Sequence, residues 1–72
     1  MSKEVLAEIV GNVTKVLAHK GDVVTLDTDL VILESMKMEI PVRSEYPGTL
    51  VDIRVHPGDV VQEGDVIAVV EE

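Results

Sequence analysis

The chain has 72 residues, 46% of them hydrophobic, with no Cys, no Phe or Trp, and Tyr46 as its single aromatic residue. That length makes one small domain, residues 1–72, burying only about 60% of its unfolded surface, and the lack of Cys excludes disulfide staples and thiolate metal centres. A formal net charge of −8 without a basic cluster speaks against nucleic acid or an anionic membrane as partner, and the apolar runs are too short for a spanning helix or signal peptide, so a soluble cytoplasmic protein is expected.

In chain order, Gly11 marks a turn, and Thr14, Val16 and Ala18 share one parity of a half-buried strand whose other face carries Lys15 and Leu17. His19–Asp22 and Asp27–Asp29 are turns, and Leu30–Leu33 is a continuous apolar run, as expected of a strand covered on both faces or at a sheet junction. A second extended piece, Glu39–Val42, follows after a very short connection. Pro47-Gly48 is a turn; Val51, Ile53 and Val55 then repeat the alternation, with Asp52 and Arg54 opposite. Pro57–Asp59 and Glu63-Gly64 are turns before a last apolar run, Val66–Val70. The material is Val, Ile and Leu, which suits thin packed sheets better than a helix bundle.

The second half repeats the first at an offset of 37 residues: Gly11 matches Gly48, His19 matches His56, Gly21-Asp22-Val23-Val24 matches Gly58-Asp59-Val60-Val61, and Glu34 matches Glu71. Between these anchors the exchanges stay apolar, as in Val13/Leu50, Val16/Ile53 and Leu30/Ile67. The expected fold is therefore all-β, a flattened β-barrel or sandwich of two antiparallel sheets with pseudo-two-fold symmetry. The first copy runs on past Glu34 into Ser35-Met36-Lys37-Met38, whereas the second ends near the C-terminus. The two-fold then puts the 35–38 turn and the C-terminus at opposite ends.

That turn breaks a local rule. Tight hairpins favour Asn-Gly or Gly, because positive φ is costly for other residues, yet Ser35-Met36-Lys37-Met38 holds no Gly and sets two Met at a tip. Such violations concentrate at functional sites. A tip lysine offers a nucleophilic amine on a flexible stem, and Met supplies adaptable apolar contacts. A lone tip lysine is ordinarily a solvated charge; the flanking Met residues and the repeat single out Lys37, whereas Lys3, Lys15 and Lys20 lack such a setting.

Glu34-Ser35-Met36-Lys37-Met38-Glu39 resembles the attachment motif of the biotin/lipoyl attachment family, and the Gly-Asp-Val-Val turns, Pro47-Gly48 and Gly64-Asp65-Val66-Ile67 extend the likeness over nearly the whole chain. The chain is most similar to the short stand-alone biotinylated proteins of that family. The resemblance implies a barrel-sandwich hybrid with covalent biotin on Lys37. It further implies recognition of Glu34, Ser35, Met36, Met38 and Glu39 by a biotin protein ligase. The carrier would be a monomer that is not itself an enzyme, moving a carboxyl group between a biotin carboxylase and a carboxyltransferase. Three departures stand out: Ser35 where Ala is commoner, Asp27 at a turn position usually Gly and expected to tolerate the left-handed region, and a short His19–Asp22 connection with no room for the thumb of some acetyl-CoA carboxylase carriers.

Competing readings are a lipoyl-carrying swinging arm, although lipoyl domains usually show Asp-Lys-Ala at the tip, and an unmodified β-module for protein contacts. His19 and His56 are read as polar turn residues rather than metal ligands, with Asp22 and Asp59 bonding turn amides. Glu34 and Glu39 have no partner nucleophile, and a thin Val-built core is expected to leave no room for a catalytic pocket.

Overall fold

In the computed structural model, which describes all 72 residues, the chain forms eight strands. These are β1 (Ser2–Leu6), β2 (Gly11–Val16), β3 (Val23–Val24), β4 (Asp29–Ser35), β5 (Met38–Arg43), β6 (Gly48–Ile53), β7 (Val60–Val61) and β8 (Val66–Glu71). They assemble into two four-stranded antiparallel sheets, ordered β1-β8-β6-β3 and β5-β4-β2-β7. No helix is long and apolar enough to cross a membrane.

Shifting every strand by 37 residues turns one sheet order into the other, so the repeat is a true structural two-fold. Its small details agree. The Gly21 N–H donates to the Leu50 carbonyl at 2.7 Å, and its mate Gly58 donates to Val13 at 2.8 Å. Asp22 accepts from the His19 N–H at 2.8 Å, as Asp59 does from His56. These carboxylates close the turns, as expected of Asp at such positions.

The two continuous apolar runs become β4 and β8, each flanked by a strand on both sides and facing the opposite sheet. Neighbouring residues such as Leu30 and Val31, or Ile67 and Ala68, are all fully buried. This departs from simple alternation because each pair includes a bulge, at Leu30 in β4 against β5 and at Ile67 in β8 against β1, which turns two successive side chains inward. The core is aliphatic throughout, with Leu33, Leu50, Val5, Val13, Val24 and Val70 at its centre.

Two local expectations are corrected. Val13 and Leu50 are buried, and Val51 is exposed, because register shifts between Val13 and Lys15 and between Leu50 and Asp52 mark bulges in β2 and β6. A bulge adds one residue to a strand and flips its parity. The alternation set by Val16 and Ala18 therefore does not extend back through Thr14. Asp27 takes no left-handed conformation either: the positive-φ residues other than Gly are Met36 and Lys37. The Asp27 turn is tied instead by hydroxyls, with the Thr25 N–H donating to Thr28 Oγ1 at 2.9 Å, while its mate Gly64 does adopt positive φ.

The molecule is elongated, 33 × 19 × 18 Å. β1 and residues 7–10 carry the chain from the end where Met1 and Glu72 meet to the end where β2 starts beside the β4–β5 hairpin. Hairpin and chain ends thus lie at opposite extremes. The Glu72 N–H donates to the Met1 carbonyl at 3.1 Å, in the register that Ser35 and Met38 hold at the hairpin.

Candidate functional site

β4 ends at Ser35 and β5 begins at Met38, leaving Met36 and Lys37 as a two-residue loop. Their φ angles are 52° and 63°, the conformation of the hairpin turn whose twist matches that of the flanking strands. Each left-handed non-Gly residue costs about 1–2 kcal/mol, so the turn stores strain where the sequence departs from Asn-Gly. The strain is held by pairing on both sides, Ser35 with Met38 and Glu34 with Glu39, and by the buried Leu33 one rung further along.

Support comes also from behind. A Cβ on Gly11 would lie 2.8 Å from the Glu34 carbonyl oxygen, so only Gly lets β2 close against β4 at this level. The result is a rigid platform with an exposed tip. Met36 is 92% exposed and Met38 60%, and Lys37 is exposed between them, engaged in no salt bridge. A free primary amine on a four-carbon stem, clear of the sheets, is suited to accept an acyl group.

All six residues singled out from the sequence are together here. Glu34 and Glu39 sit directly opposite on the outward face, both exposed and neither paired with a cation. The two carboxyls held below the usual carboxylate range lie away from the hairpin. Glu71 is lowered by the Ser2 hydroxyl and then by the N-terminal ammonium, and Asp52 by the guanidinium of Arg54.

The surface is less even than the thin core suggests. A groove of ≈ 510 Å³ opens between the start of the β1–β2 connection and β5, lined by Leu6, Ile9, Leu26, Leu33, Ile40 and Val42. The two-fold gives it a counterpart, a groove of ≈ 550 Å³ lined by Glu4, Leu6, Ala7, Tyr46 and Gly64. Ile9 in the first groove stands where the second has Tyr46, both pack against the core, and Lys3 Nζ lies 5.8 Å from the Tyr46 ring centroid. Ser44, the hydroxyl of the lining, donates to the Tyr46 carbonyl at 2.5 Å and accepts from the Tyr46 N–H at 3.3 Å. With Glu8, Arg43 and Glu45 beside the aliphatic residues, the groove presents a mixed surface and no activated nucleophile.

Sequence reasoning did not find Gly11 as the backing of the hairpin, nor that Asn12 and Val60 share the outward row of Glu34 and Glu39. The repeat held a signal for the first, because Gly11 and Gly48 are matched and both meet a carbonyl, of Glu34 and Glu71 respectively.

The family model described as Biotin-requiring enzyme, the biotin/lipoyl domain, matches residues 3–70. The chain belongs to the biotin/lipoyl family. Within it, a biotinylated protein TB7.3 homolog of Mycobacterium leprae is 47% identical over 97% of this chain and 99% of its own length. A biotin/lipoyl attachment protein of Bacillus subtilis is 40% identical over 83% of this chain and 82% of its own. The crystal structure of Kluyveromyces lactis urea carboxylase superposes with a TM-score of 0.92 at 31% identity, covering 99% of this chain and 6% of that one. This biotin/lipoyl domain is thus of the size of the two short relatives and is similar to a small part of a much longer enzyme.

Proposed function

We propose that this biotin/lipoyl domain is a biotin carboxyl carrier in which residues 1–72 act as one attachment domain and Lys37 bears biotin. The observation that carries the reading is the left-handed Met36-Lys37 loop, which keeps an unpaired amine exposed between two exposed Met residues. The deprotonated Lys37 Nζ attacks the acyl carbon of biotinyl-adenylate on a biotin protein ligase. An amide bond forms, the bond to the phosphate oxygen breaks, AMP leaves and the amine proton passes to solvent. Bound biotin supplies a ureido nitrogen that takes up and gives back a carboxyl group.

The chain's own residues hold and present the arm. The paired β4 and β5 fix its root, Gly11 keeps the hairpin seated on β2, and the Met and Glu residues around Lys37 offer the ligase its contacts. A biotin carboxylase and a carboxyltransferase are the partners, visited transiently in the cytoplasm by a monomeric carrier that does no catalysis of its own. The relatives named as biotinylated and as a carboxylase support this assignment, as does Met-Lys-Met at the tip. The Bacillus subtilis relative is named for both groups, so lipoyl attachment to Lys37 is the second reading.

The test is the intact mass after incubation with biotin, ATP and an active biotin protein ligase, beside Lys37→Arg. One biotinyl adduct on the wild type and none on the variant is expected. No adduct on either, with the ligase active on a control carrier, would overturn the biotin reading, and the same pair with a lipoyl ligase then decides the second.

A further inference from the structure

The hairpin is the end of a longer row. On the outward face of its sheet, register sets Glu39 opposite Glu34, Glu34 opposite Asn12, and Asn12 opposite Val60. Val60 is 66% exposed although its neighbour Val61 is buried at 3%. Val10 precedes Gly11 on the path towards the turn, shares the parity of Asn12, and is 58% exposed. With Met36 and Met38, the hairpin end therefore shows four exposed apolar side chains around two unneutralised carboxylates.

An enzyme that closes on Lys37 cannot rest on a two-residue loop. A specific protein interface covers about 800 Å² per partner, far more than the tip supplies, so the footprint must spread down one flank of the hairpin. The outward flank carries the features of an interface, exposed aliphatic groups beside charges without partners. Like charges directly opposite on a sheet are destabilising, and this chain offers Glu34 and Glu39 no cation.

We propose that Val10, Asn12 and Val60 extend the hairpin into the docking face for the ligase that acylates Lys37. The partner sets cationic side chains opposite Glu34 and Glu39 and an apolar surface over Val10 and Val60. The inference rests on the reading of Lys37 as a modified residue. The two-fold provides an internal control in Val23, the mate of Val60, which is 80% exposed opposite Thr49 at the far end of the molecule.

Steady-state biotinylation by a purified biotin protein ligase, with the carrier as varied substrate, separates KM from kcat for Val60→Asp, Asn12→Lys and Val23→Asp, alongside thermal melts. Val60→Asp is expected to raise KM about tenfold, equivalent to ~1.4 kcal/mol of lost contact, with kcat within about twofold. Asn12→Lys is expected to raise KM severalfold and to flatten its dependence on salt, because a cation beside Glu34 weakens the field the partner meets. Val23→Asp leaves both constants unchanged. Equal effects of Val60→Asp and Val23→Asp, or a loss confined to kcat that tracks a lowered Tm, overturn the docking face while the adduct on the wild type preserves Lys37 as the site. A wild type that takes no adduct removes both readings together.

Discussion

At one end of the protein Glu34 faces Glu39 across β4 and β5; at the other, the matching Glu71 faces Ser2 across β8 and β1. The strands, register and close-packed Gly are the same, but the solutions differ. Glu71 accepts from Ser2 Oγ at 2.5 Å and from the N-terminal ammonium at 3.2 Å. Glu34 meets a second carboxylate, beside a loop of two residues in the left-handed region. One end has its charges satisfied and the other is left strained, apolar and repulsive. A shared scaffold makes that contrast informative: the fold did not require it, so the hairpin's features are tied to what it presents.

The contrast can be attacked where the two ends agree. Gly48→Ala would drive a Cβ into the Glu71 carbonyl, and Gly11→Ala would set one 2.8 Å from that of Glu34. Overpacking of this kind costs about 1–3 kcal/mol, and each kcal/mol moves Tm by roughly 4–8 °C in a domain of this size. Both variants are expected to melt lower, Gly48→Ala more so. Gly11→Ala should also slow acylation of Lys37, which a time course of intact mass reads, and Gly48→Ala should not beyond its effect on folding.

Where the ends differ, effects of opposite sign are expected. Met36→Asn places a residue that tolerates positive φ in the first loop position and should raise Tm by several degrees, for roughly 1 kcal/mol of relieved strain. The same variant should be a poorer ligase substrate, since it removes one flanking Met; a gain in both properties would show that the strain serves no presentation. Smaller is the effect of Glu34→Gln, which removes a like-charge pair and should stabilise by about 0.2–1 kcal/mol in denaturant melts. Glu71→Gln removes a satisfied carboxylate and should destabilise.

The smallest effect is in pH. Glu71 is held below its ordinary value by Ser2 and the ammonium. A carboxyl depressed in the folded state contributes stability above its unfolded pKa and loses it as pH falls through the folded one. Ser2→Ala should therefore move the Glu71 titration, followed by NMR of its carboxyl carbon, back towards the ordinary carboxylate range. An unmoved titration would mean that the ammonium alone holds it. Solvent screening keeps the consequence for stability slight.

Much of this is legible in the sequence. Short β-branched runs bounded by Gly, Pro and Asp announce strands, and a repeat with apolar exchanges announces a two-fold, because both are properties of neighbouring residues or of sequence matched to itself. The loop at Lys37 stood out for the same reason: a turn without Gly is anomalous wherever it occurs. Thr14 and Asp27 were misread because a bulge and a hydroxyl-tied turn depend on partner strands and on the exact path of the chain, which local pattern does not carry.

By itself, then, the sequence determined the strand content, the duplication and the lysine at the tip. Only the tertiary structure decided what surrounds that lysine. It brought β2 alongside β4 and β7 alongside β2, setting Asn12 and Val60 in one row with Glu34, and it left two grooves related by the two-fold. The physical reason is that pairing between distant strands is chosen by register and by burial of the whole core, so residues far apart in sequence become neighbours only once the sheets have closed.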